Sequence, residues 1–172
     1  MMDTQLVLTG FLKRAARYFP NKQIISRTSP TMTHRIPFKD YVKRTHRLAD
    51  ALTKLGMTRG TKVGTFAWNH HRHLEAYFAI PCSGAILHTI NIRLAPEHIV
   101  YIINHAQDEI LLIDGDLFPL VEPALGHLKS VKHIIVMSDD KTAPESSFPN
   151  VHSYEQLLEE ADENFAFPED LD

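Results

Sequence analysis

The stretch from Lys62 to Ala106, KVGTFAWNHHRHLEAYFAIPCSGAILHTINIRLAPEHIVYIINHA, constrains the fold more than any other part of the chain. Lys62 to Trp68 reads as a buried strand, entered through Arg59–Gly60. A helix from about His70 to Cys82 follows. Ala85 to Ile90 is a near-continuous apolar run, which suits a parallel strand covered on both faces. Pro96 and Glu97 stand where a first helical turn belongs, and that helix runs to about His105. Strands alternating with helices at this spacing imply right-handed crossovers and a parallel sheet.

The alternation continues downstream. Glu109 to Ile113 reads as a strand, the turn Asp114–Gly115–Asp116 leads into a helix to about Leu128, and His133 to Met137 is a further strand. Upstream, Leu8, Phe11, Leu12, Ala15 and Phe19 recur at helical spacing until Pro20 stops them. Lys22 to Arg27 and Met32 to Pro37 read as a hairpin, with turn chemistry at Ser29–Pro30. Phe38 to Leu55 carries one apolar stripe, from Tyr41 through Leu48 and Leu52 to Leu55, and Gly56 is placed to cap it. Ser138 to Asn150 reads as a loop, Tyr154 to Ala161 as a short acidic helix, and the last residues as irregular. The expectation is an α/β fold: an open, mainly parallel sheet with helices on both faces. An α/β lobe is expected over residues 1–137. Residues 138–172 are expected to form an acidic loop, a short helix and a linker.

Composition narrows the function classes. At 172 residues the chain is long enough for one ordinary core. It has no run of 18 apolar residues, so no transmembrane segment is expected, and its start lacks the order of a secretory signal. A cytoplasmic protein is expected. Cys82 is the single cysteine, so no intrachain disulfide can form. It lies in an apolar stretch without a basic neighbour and reads as packing, not as a nucleophile. Residues 1–138 hold 17 of the 18 Lys and Arg and 10 of the 21 acids, a net of +7, whereas residues 139–172 hold Lys141 and 11 acids, a net of −10. The cations are scattered, with no aromatic-interleaved basic strand, so no nucleic-acid partner is expected.

Chemical motifs are few. Neither G-x-x-x-x-G-K-[ST] nor G-x-G-x-x-G occurs, and no G-x-S-x-G elbow is present. His70, His71 and His73 cluster, but adjacent helical positions point about 100° apart. They read as surface or loop-end histidines, and no metal site is expected there or at His98 and His105. Asp114 and Asp116 read as a turn with a helix N-cap, although strand-end acids can also hold Mg²⁺. Open α/β sheets bind ligands beyond the carboxyl ends of their strands. That rule singles out Trp68 and Asn69, and Asn91 and Arg93, as cleft-lining candidates for cofactor binding; the second pair could equally serve the turn before Pro96.

Two segments carry a family resemblance. IPFKDYVKRTHRLADALTKLGMTRGTKVGTFAWN resembles the first conserved region of the acyl-adenylate-forming enzymes, departing at Phe38–Val42, where the usual acid is shifted and Val42 replaces a leucine. LEAYFAIPCSGAILHTINIRLAPEHIVYIINHA is similar to the second, through Glu75, Tyr77, Ala79, Gly84, Asn91, Arg93, Leu94 and the helix from Pro96. The wording around His88 to Leu94 resembles the medium- and long-chain fatty acid–CoA ligases. The resemblance implies the first subdomain of the large N-terminal domain of such a ligase. The parent would join a fatty acid to CoA through an acyl-adenylate, using ATP and Mg²⁺. It implies no catalytic residue, cofactor site or metal ligand within these residues, so the chain alone is expected to be inactive. It also implies homodimers joined through this domain, and it allows peripheral membrane association of the parent. Two other classes stay open at this stage: a standalone flavodoxin-like receiver or binding module, supported by the Asp114–Asp116 turn, and an oligomerisation scaffold.

Overall fold

A computed structural model describes residues 6–28 and 31–170; the expected turn at Ser29–Pro30 lies outside them. The chain opens with helix α1 (Thr9–Tyr18) and a hairpin of β1 (Gln23–Arg27) and β2 (Thr33–Pro37). It continues as α2 (Phe38–Lys54), β3 (Lys62–Phe66), α3 (His71–Cys82), β4 (Ile86–Thr89), α4 (Pro96–Ala106) and β5 (Ile110–Asp114). A short α5 (Phe118–Val121) runs into a 3₁₀ turn (Glu122–His127), followed by β6 (His133–Met137), β7 (Val151–Ser153) and α6 (Tyr154–Glu159).

The main sheet is parallel throughout, in the order β4-β3-β5-β6-β7. Its period-two alternation divides the core. Ile110 and Leu112 of β5 face one layer with Val63, Leu48, Leu52, Ala76 and Ile80, beneath α2, α3 and α6. Leu111 and Ile113 face the other, with Ile99, Ile103, Leu125 and Val136, beneath α4 and the 3₁₀ turn. All five residues of β5 are buried, as a central strand covered on both faces requires. The hairpin and α1 form a satellite: Leu12, Ile36, Tyr41 and Cys82 pack together on the outer side of α2 and α3.

Helix α2 ends as its sequence indicates. Gly56 takes φ +96°, a left-handed value open to glycine, and Met57 N–H donates back to the Leu52 carbonyl at 2.9 Å.

Three elements differ from the sequence expectation. Strand β4 is not covered on both faces: it is the edge of the sheet, and Ile86 is half exposed. Its apolar run is a true strand signal, but lateral position is set by the crossover order, which local sequence does not encode. The helix expected after Asp116 breaks into α5 and the 3₁₀ turn at Pro123, which withdraws a backbone N–H from the ladder; Pro119 stands in the first turn of α5, where that N–H has no intrahelical partner. The segment after residue 137 is more than loop and linker. Val151–Ser153 joins β6 in parallel register, and α6 packs beneath the sheet, capped by the Ser153 hydroxyl. A division at 137 therefore falls between two paired strands.

Candidate functional site

The carboxyl ends of β3, β5 and β6 open onto a cleft of about 1160 Å³. Trp68, Asn69 and His70 form one wall, Asp114–Gly115–Asp116 the floor, and the loop from Ser138 to Pro144 the opposite wall. Two of the four candidates, Trp68 and Asn69, stand on this cleft. Asn91 and Arg93 do not: they follow the edge strand β4, outside the cleft lining, and are exposed. Asn91 Oδ1 accepts from Arg93 N–H at 3.0 Å, so it stabilises the turn before α4.

The floor is held by one carboxylate. Asp114 Oδ2 accepts from Trp68 N–H at 2.6 Å, and Oδ1 accepts from His70 Nε2 at 2.6 Å. His70 is also the N-cap of α3, its Nδ1 accepting from His73 N–H at 3.3 Å. An Nδ1 that accepts leaves the ring proton on Nε2, where it is donated to Asp114. Asp116 Oδ2 accepts from the Trp68 indole N–H at 3.0 Å. The two acids therefore do not cap the following helix, whose N-cap is Leu117 without a side-chain bond. They clamp Trp68 instead, across the gap between β3 and β5.

The three clustered histidines are buried or nearly so, a correction to their reading as surface groups. His71 is 2% exposed and stacks on His34 at a ring separation of 4.0 Å. Burial, with Arg72 and His34 adding to it, pushes its pKa down to about 2. His73 Nε2 shares a hydrogen bond with Thr65 Oγ1 at 3.0 Å, and its Nδ1 meets the Trp68 carbonyl at 3.1 Å. Polar side chains enter a core when partners await them, and these partners lie on β3 and on the strand-end turn, out of sight of any helical wheel. Among the described residues no three His, Cys, Asp or Glu side chains converge as a metal cage. Cys82 is buried, and burial lifts its thiol to about 11.

Behind the cleft runs an ion chain that sequence reading did not find. Arg72 bonds Asp139 of the cleft wall and, through Nε, Glu155 at 2.8 Å. Glu155 also receives Arg44 at 2.8 and 2.9 Å. Arg44 turns its remaining donors to Glu75, at 2.7 and 3.3 Å, and the Tyr154 hydroxyl completes that carboxylate at 2.5 Å. Glu75 is fully buried; burial raises its pKa, and Arg44 and Tyr154 oppose the rise. For Glu155 burial acts upward as well, but its two arginines prevail and the pKa falls. The single sequence hint was an acid inside the apolar run LEAYFA.

An open parallel α/β sheet with a polar-floored cleft at its strand ends defines a doubly wound lobe. The profile of the family described as AMP-binding enzyme matches residues 12–171. The chain belongs to that family. It is 48% identical over 163 residues to a long-chain-fatty-acid–CoA ligase of Thermus thermophilus, which covers 94% of this chain and 29% of the relative. It is 36% identical to a medium-chain-fatty-acid–CoA ligase of Ectopseudomonas oleovorans, covering 98% of this chain and 31% of the relative. Among solved structures, a long-chain-fatty-acid-CoA ligase (FadD1) of Archaeoglobus fulgidus superposes with a TM-score of 0.81 at 18% identity, covering 99% of this chain and 33% of that one. The anthranilate CoA ligase AuaEII, solved with anthranoyl-AMP, gives 0.81 at 22% identity, covering 96% and 30%. The chain thus spans about 30% of the length of the curated relatives it matches.

Proposed function

We propose that these residues build the first lobe of a fatty acid–CoA ligase, whose parent chain joins a fatty acid to CoA by way of an acyl-adenylate, with ATP, Mg²⁺ and CoA supplied as partners. The carrying observation is the 48% identity to the Thermus thermophilus ligase across 94% of the chain. The lobe's part is mechanical: the Asp114 clamp and the ion chain hold one wall of the cleft rigid.

The residues present do not fit Mg²⁺–ATP. Both oxygens of Asp114 are taken by protein donors, and Asp116 is engaged by Trp68. No glycine-rich phosphate loop occurs in the sequence. No chemical step is therefore assigned to this lobe, and the chain alone is proposed to be inactive. The same engagement of Asp114 disfavours a receiver-type phosphoacceptor.

The test has two arms. The purified 172-residue chain should give no pyrophosphate–ATP exchange. A chimera placing these residues in the Thermus thermophilus ligase should form long-chain acyl-CoA; a folded chimera without adenylation would overturn the reading. Self-association through this lobe is a finer part of it and predicts a concentration-dependent mass in light scattering. Among the described residues no helix is long and apolar enough to cross a membrane, and a cytoplasmic location belongs to the same proposal.

A further inference from the structure

Toward the amino end of β6, away from the cleft, two imidazoles face each other. His133 Nδ1 of β6 stands 3.1 Å from His152 Nε2 of β7, with the ring centres 5.3 Å apart. The backbone fixes both. His133 lies two residues before Ile135, on the same face of β6, and Ile135 pairs with His152 in the parallel register. Ile134 N–H donates to the Asn150 carbonyl at 2.9 Å, and Asn150 Nδ2 donates to the Lys132 carbonyl at 3.0 Å. Both rings are half-buried, so solvent ions reach them.

Burial lowers the pKa of each ring; Lys132 acts with it on His133, and His133 on His152. At neutral pH each ring is uncharged and has one nitrogen with a free electron pair. One of the two facing nitrogens donates a proton to the other. The gap also fits an ion. Two imidazole nitrogens bound to one zinc ion at about 2.0–2.1 Å stand about 2.9 Å apart at a right angle and about 3.4 Å apart at the tetrahedral angle. The observed 3.1 Å lies inside that range, so an ion can replace the shared proton while both strands stay in place. That proton is taken up on the other nitrogen of its own ring, and no net release is needed.

We propose that His133 and His152 form a two-histidine clasp for a divalent cation of the zinc and copper class, which pins β7 to β6. Imidazole selects such ions over Mg²⁺ and Ca²⁺, which favour oxygen ligands. Among the described residues no third His, Cys, Asp or Glu converges on the pair, so water completes the shell. The Lys132 ammonium is engaged by Glu109 at 2.6 Å, which offsets its charge beside the site. Other histidine contacts lack this fit. The His34 and His71 rings stack face to face at 4.0 Å, with their in-plane electron pairs aimed past each other, and His70 Nε2 is committed to Asp114. β7 has three residues and leads directly into α6, whose Tyr154 and Glu155 complete the ion chain. A bound ion therefore ties that whole segment to the sheet. The inference does not rest on the ligase reading: adenylation by the chimera could fail and ion binding still stand.

Calorimetric titration of the untagged 172-residue chain with Zn²⁺ tests it. The parent should take up a single ion, and Mg²⁺ should not bind in its place. His133→Gln and His152→Gln should each weaken zinc binding roughly tenfold or more, because the second attachment of the chelate is lost. His127→Gln, exposed on the 3₁₀ turn, should bind like the parent. Zinc should raise the urea midpoint of the parent and not that of either clasp variant, and all variants should keep the parent circular dichroism. If the clasp variants do not fold, electron paramagnetic resonance of the parent with one equivalent of Cu²⁺ decides: two nitrogens on the copper support the clasp, and one overturns it. No zinc uptake at millimolar ion, or parent-like uptake by both folded variants, would also overturn the proposal.

Discussion

Arg44 grips Glu75 through two hydrogen bonds, at 2.7 and 3.3 Å, at a point where the carboxylate has no contact with water. A buried pair of this kind is weak support for stability while intact and a liability once halved. Arg44→Met should therefore destabilise the lobe by about 3–5 kcal/mol, since it strands Glu75 as an uncompensated buried charge. Arg44→Met combined with Glu75→Gln should recover a large part of that loss. Urea denaturation of both variants measures the difference; equal losses would show that the stranded charge is not the cause.

Acid should weaken the lobe through His71. In the folded chain burial holds the ring neutral down to about pH 2, whereas the unfolded ring takes a proton below its ordinary value of 6.5. The unfolded state binds more protons across that window, so stability is full above it and is lost as pH falls through it. His73, also lowered first by burial, acts in the same direction. Between pH 6.5 and 5 the His71 contribution comes to roughly 2 kcal/mol. The shift in urea midpoint between pH 7 and pH 5 should shrink in His71→Phe, which keeps the stack on His34.

Gly64 sits where β3 crosses close to its neighbour. A Cβ there would lie 2.8 Å from Leu111 Cδ1 and 2.9 Å from Asp108 Oδ2. Gly64→Ala should cost about 1–3 kcal/mol by overpacking, seen as a lowered thermal midpoint.

Trp68 is the only tryptophan and reports on the cleft directly. Asp116→Ala frees the indole N–H, so fluorescence anisotropy should fall with little loss of stability. Asp114→Ala removes the acceptor for Trp68 N–H and His70 together and should cost about 1–3 kcal/mol as well. Unchanged anisotropy in Asp116→Ala would show that the clamp does not restrain the ring.

Cys82 should resist a thiol reagent at neutral pH in the folded chain and react once urea unfolds it, because its thiolate is suppressed by burial and its sulfur is covered. Labelling kinetics with and without denaturant test this.

The alternation of β3, α3, β4, α4 and β5 is legible because each element carries its own period and its own stop. β7 is not legible: three residues give no alternation to count. The edge position of β4 is not legible either, because it follows from which crossover inserts β5 on the other side of β3. The site divides on the same line. All four candidates lie beyond strand ends, but only Trp68 and Asn69, after β3, line the cleft; Asn91 and Arg93 follow the edge strand β4, outside it. The burial of His70 depends on Asp114, 44 residues away, and no local pattern reports such a partner.

The ion chain has a consequence for the order in which the lobe can mature during synthesis. Arg44 and Glu155 are separated by 111 residues. At a typical elongation rate that is roughly 5–20 s of translation. Through this interval α2 and α3 can form and meet, but Glu155 and Tyr154 have not yet emerged to complete the polar pocket around Glu75. Helix α6 is the one that closes the lobe, so a nascent chain paused before Tyr154 holds an unfinished core.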